Sequence, residues 1–169
     1  MPYEPFHEKF GELAWKETRS ITISGHPKLP ADDYGLIEAY CNDENCDCRR
    51  VFFQVVSRKR NGVIAVIAYG WETKGFYAKW FRANDPVIIR QMQGPILNPG
   101  SPQSELAPAL LEMVRGVVLK DPEYIARLKR HYQMFKEKVD PKHFPPSRAQ
   151  ESDALPASPR KKRHRSRSR

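Results

Sequence analysis

The spacing of apolar positions changes several times along this chain, and each change marks an element. Phe6, Phe10, Leu13 and Ala14 recur at i, i+4, i+7 and i+8, one face of a short helix near residues 7–15. From residue 18 to 24 the pattern shortens to alternation, with Ile21 and Ile23 set against Arg19 and Thr22, the period of a half-buried strand that Gly25-His26-Pro27 breaks. Residues 34–41, 51–58 and 62–71 are rich in Val, Ile, Phe and Tyr and read as three more strands. Between the last two, Asn61-Gly62 supplies the positive-φ pair suited to a tight hairpin, so an antiparallel meander of four strands is expected.

Phe76, Tyr77, Trp80 and Phe81 fit either period, which leaves residues 76–81 as a strand or a short helix. Residues 93–104 hold Gly94, Pro95, Pro99, Gly100 and Pro102 and read as an irregular connection. A helix follows that must start between Ser104 and Ala107, so that Pro108 lies in its first turn, with Leu106, Leu110, Met113, Val114 and Val117 on its buried face. A second opens at Asp121-Pro122, an N-cap followed by proline at the first helical position, and carries Ile125, Leu128, Tyr132, Phe135 and Val139 on one stripe. There is no internal repeat. The expected fold class is α+β: a four-stranded antiparallel meander with a short N-terminal helix and two C-terminal helices packed on one face of the sheet, in a single domain over residues 1–144.

After Phe144 the pattern gives way to Pro, Ser, Ala and charge, with Leu155 the one sizeable aliphatic side chain. Such a segment buries too little to offset its ordering entropy, so residues 145–169 are expected to be a disordered basic tail. Composition sharpens this. Of a net charge of +9, Arg160, Lys161, Lys162, Arg163, Arg165, Arg167 and Arg169 supply seven, leaving a nearly neutral body. The N-terminal residues show neither a basic segment nor an apolar run, so no export signal is expected. The longest apolar stretch, residues 63–69, falls far short of the ~18 residues that span a bilayer. The expectation is therefore no membrane association and a cytoplasmic location, or a nuclear one in a eukaryote.

All three cysteines fall in one loop, Cys41-Asn42-Asp43-Glu44-Asn45-Cys46-Asp47-Cys48. An odd count without an export signal argues for reduced thiols, and three thiolates gathered between two strands form most of a tetrahedral zinc shell. Zinc is accordingly the expected cofactor, although the C-x4-C-x-C spacing differs from paired C-x2-C ribbons and three plain thiols are the alternative. Asp43-x-Asn45-x-Asp47 also opens like a calcium loop, but no glycine follows and Gln54 stands where the closing glutamate belongs. For the fourth ligand, His26 is a poor candidate, about 25 Å away along a strand at 3.3 Å per residue. His7 is the first choice. The region of Glu72, His131, His143, Asp47 and water remain alternatives.

Water in that position would open the site to catalysis, yet no H-E-x-x-H, zinc-deaminase signature, G-x-S-x-G or phosphate-binding glycine loop is present. Residues 74–81 begin like the RNP1 strand of an RNA-recognition module but fall out of register after Phe76, so their aromatics read as core. The seven tail cations would track a phosphate backbone without reading sequence, in DNA or RNA. Lys162-Arg163-His164-Arg165 is similar to a nuclear import signal, and Arg165-Ser166-Arg167-Ser168-Arg169 to arginine-serine repeats. The leading functional expectation is a zinc-stabilised binding module that contacts nucleic acid through its tail. The rival is a protein-binding or regulatory module whose tail only aids solubility, and an enzyme comes third.

Overall fold

The computed structural model describes residues 2–82 and 84–146. It is an α+β arrangement in which the last two helices cover one face of an antiparallel sheet. The organising strand is β3 (Asp32–Cys41), ten residues long. Its Tyr34, Leu36, Glu38 and Tyr40 lie on the helix-covered face, as the two-residue period requires. On one side β3 pairs with β4 (Arg50–Ser57), which pairs with β5 (Gly62–Gly70). These three strands and β2 (Arg19–Ile23) are the expected meander, each within two residues of its expected bounds.

The sheet nevertheless has six strands among the described residues, not four. A two-residue β6 (Ile96–Leu97) closes the β5 edge, inside the segment read as irregular. At the other edge β1 (Tyr3–Pro5) lies end to end with β2 along the same side of β3: Tyr3 pairs with Cys41, whereas Arg19 pairs with Leu36. Between β1 and β2 the chain leaves the sheet as a 3-10 turn (Phe6–Glu8) and α1 (Gly11–Glu17). The expected single helix over residues 7–15 is thus two pieces, with Phe6 and Ala14 buried and Trp15 left 89% exposed.

The β4–β5 connection also differs from expectation. Ser57 pairs with Gly62, so the loop holds four residues, and Asn61 alone adopts positive φ (51°) while Gly62 already belongs to the strand. Asp32 organises this loop, its carboxylate accepting from Ser57 Oγ at 2.5 Å and from the Lys59 amide at 3.2 Å.

The ambiguous aromatic stretch is helix α2 (Lys74–Phe81). Thr73 decides it by accepting from the Phe76 amide as N-cap, and Arg82 ends it in the left-handed region at φ 56°. An unexpected α3 (Pro86–Gln93) follows, capped by Asp85 with proline at its start. Then come α4 (Ala107–Gly116), with Pro108 in its first turn, and α5 (Pro122–Val139), capped by the Asp121 carboxylate on the Glu123 and Tyr124 amides. Val117 is a correction. It is 54% exposed because the chain tightens to a 3-10 turn at Val118–Lys120, which turns Val118 inward in its place.

The core lies between the sheet and these last two helices. The Tyr40 hydroxyl donates to the Leu128 carbonyl at 3.2 Å, the Phe53 and Tyr124 rings stack at 6.2 Å, and Phe135 lies 5.7 Å from Tyr40. Burying Leu128 and Phe135 contributes about 1.5–3 kcal/mol each. A smaller cluster of Ala39, Phe52 and Ala68 sits on the opposite face under Tyr3. No helix among the described residues is long and apolar enough to cross a membrane.

Candidate metal centre

The strand β3 delivers Cys41 to the end of the sheet, and β4 leaves from Arg50, so the eight residues between must reverse the chain within a short span. They do so with two left-handed residues, Asn45 at φ 60° and Arg49 at φ 49°. Asparagine enters that region at low cost, whereas arginine has to be held there. Arg49 is held on every side. Its amide donates to Tyr132 Oη at 3.3 Å, its carbonyl accepts from Tyr77 Oη at 2.9 Å, and its guanidinium pairs with Asp47 and Glu72 over the face of Phe76. Tyr77 and Phe76 therefore support this corner from a helix, and an RNP1-type strand at residues 74–81 is ruled out.

The rest of the loop is fastened to its neighbours in the same manner. The Asn42 amide donates to the Pro2 carbonyl at 3.3 Å, extending the β1–β3 ladder. Along α5 and at its C-cap, three side chains four residues apart take hold in turn: Tyr132 Oη donates to Asp47 at 3.0 Å, Lys136 Nζ donates to the Asp43 carbonyl at 2.7 Å, and Asp140 accepts from the Asn45 amide at 2.7 Å. Spacing of i, i+4 and i+8 places these three on one helix face.

Inside this frame the ligand atoms of Cys41, Cys46 and Cys48 all lie within 4.8 Å of one another. None is in a disulfide; Cys41 and Cys48 are buried, at 0% and 1% exposure, and Cys46 is partly so. The crowding splits their acidities. The Cys46 and Cys48 thiols donate to the Cys41 sulfur and hold it far below the ordinary cysteine range, while keeping those protons raises Cys46 and Cys48 above it. Burial opposes ionisation at all three. Thiols that already share protons at this range are what a soft cation would replace by three metal–sulfur bonds, with release of the protons. The described residues thus bring together a triad that can hold a metal ion.

His7 is not part of it. Because β1 runs antiparallel to β3, each residue after Tyr3 moves away from Cys41, and His7 ends beside Ile37 and Glu38 with its Nε2 3.4 Å from Glu8. At 3.3 Å per residue that is about 13 Å from the thiols. The other candidates are occupied elsewhere. His26 accepts from the Lys28 and Leu29 amides in its turn, and His131 is buried between Glu38 and Glu17, with contacts of 2.7 and 2.6 Å. His143 pairs with Asp140, and Glu72 and Asp47 bind Arg49. Among the described residues the only group of three or more His, Cys, Asp or Glu side chains that could hold a metal is the three cysteines, and Asp47 of the calcium-like pattern is turned to Arg49 and Tyr132. The tail cations Arg160, Lys161, Lys162, Arg163, Arg165, Arg167 and Arg169 lie outside the described residues.

What sequence reasoning missed is the helix side of the centre. Tyr132 was legible as core, but Lys136 and Asp140 continue its spacing across a face otherwise read as apolar, and that charged interruption was the available signal. Comparison with family models, curated proteins and solved structures returns no match.

Proposed function

We propose that the chain is a zinc-stabilised binding module, in which Cys41, Cys46 and Cys48 hold a structural zinc ion and the basic segment over residues 160–169 contacts nucleic acid without reading its sequence. The convergence of three unpaired thiols within 4.8 Å supports the metal reading. Zinc is favoured over other soft cations because thiolate-rich structural sites between strands are its usual setting. A structural role is favoured over catalysis because the loop is fastened at five points and two of its sulfurs are buried. The seven cations in ten residues support the nucleic-acid reading.

Metal analysis of protein purified without added zinc is expected to give one zinc per chain, lost in Cys41→Ser, Cys46→Ser and Cys48→Ser; a metal-free parent protein ends the zinc reading. Binding to random DNA and RNA at two salt concentrations tests the basic segment. Deleting residues 160–169 should reduce the log-log salt slope by about 5 to 6, and an unchanged slope rejects the contact. Trp15, exposed beside a cleft of about 680 Å³ that also includes Ala14 and Ile37, favours a second reading in which the body binds another protein. Under it, Trp15→Ser abolishes capture of that protein while nucleic-acid binding is unaltered.

A further inference from the structure

We infer that Lys136 is the charge partner of the thiol cluster and sets its preference for a divalent ion, an inference that rests on the zinc reading above. Lys136 is 0% exposed, in the last third of α5. An ammonium group removed from water is costly unless an opposite charge meets it. Its neighbours do not supply one: Nζ donates to the Asp43 carbonyl at 2.7 Å and lies 5.2 Å from the Phe144 ring, and it forms no ion pair among the described residues. The nearby carboxylates are taken, Asp140 by the Asn45 amide and His143, and Asp47 by Arg49 and Tyr132.

The remaining acceptors of charge are sulfurs. Asp43 lies between Cys41 and Cys46 in the loop, so the carbonyl that anchors Lys136 ties the ammonium to the segment that carries both sulfurs. Three thiolates around a divalent ion leave one negative charge, which Lys136 cancels. A monovalent soft cation such as Cu(I) would leave the centre negative, and a trivalent one such as As(III) would leave it positive. Where two of the three sulfurs are buried, uncompensated charge is the expensive quantity, so the neutral combination is preferred.

Two variants separate charge from hydrogen bonding. Lys136→Gln retains a donor for the Asp43 carbonyl without the charge, and Lys136→Met loses both. Zinc affinity, read by competition with a chromophoric chelator, is expected to fall about 10- to 100-fold in both variants. Arsenite competition should show the zinc-over-arsenite preference narrowing in both. Parental zinc affinity in Lys136→Gln overturns the inference and leaves Lys136 as a tie for the loop. A parent chain that binds no zinc overturns the zinc reading itself, and is seen before any variant is made.

Discussion

The two halves of α5 hold the protein together by different means. The buried face of its first half is apolar: Tyr124 stacks on Phe53 and Leu128 is fully buried, and the contact works by removing surface from water. Its second half also buries Phe135, but with its C-cap it presents Tyr132, Lys136 and Asp140 to the cysteine loop, which it holds by directed hydrogen bonds and charge. Apolar contact is insensitive to protonation and to metal, whereas the directed half depends on both. The same helix is thus a structural beam at one end and a condition-dependent clamp at the other.

The sharpest way to break this contrast is to cut both halves and compare. Leu128→Ala should cost about 2–5 kcal/mol of stability in urea unfolding. That cost should be the same in metal-loaded and metal-free protein; a metal-dependent cost would mean the halves are not separable. Removing zinc from the parent comes next. With free zinc at 100 times its dissociation constant, the loss should be about 2.7 kcal/mol. It should appear equally in the Leu128→Ala background, since distant sites add.

Acid offers a milder cut. The Asn45 amide, followed by His143, holds the Asp140 carboxyl below its ordinary value near 3.9. A carboxyl whose folded value is depressed lends its full stability above the unfolded value and loses it as pH falls through the folded one. The clamp should therefore loosen below about pH 4, and Asp140→Asn should remove that part of the acid dependence while leaving the Leu128 end unaltered, as amide exchange at Asn45 and Leu128 would report. The smallest effect is expected at Val117→Lys. Its exposure predicts a change within about 0.5 kcal/mol, and a larger loss would restore Val117 to the core.

How far these regions were legible follows from the same physics. Burial by a periodic face writes itself into sequence, so β2 to β5, α4 and the apolar stripe of α5 could be read directly. The Asp85-Pro86 pair carries the same start signal as Asp121-Pro122, and α3 was nonetheless missed because it buries no side chain and so lacks a strong core pattern. β1 and β6 were illegible for a different reason: three and two residues are too few to show a period. At the metal centre the cysteines were evident from clustering alone. The helix residues that hold the loop were not, since their pairing depends on how α5 lies across the sheet, which no local spacing encodes. His7 was chosen by topology alone, and the register of β1 carried it past the thiols.

That register has a practical consequence for anyone who handles the protein. Tyr3 lies opposite Cys41, and the Pro2 carbonyl accepts from the Asn42 amide, so residues added ahead of Pro2 would emerge beside the sulfurs. A polyhistidine purification handle fused there would bring imidazoles within reach of the thiols and could complete a coordination shell of its own. Metal stoichiometry measured on such a fusion would report the handle as much as the loop, and a cleavable handle removed before assay, with the cleaved and uncleaved proteins compared, separates the two.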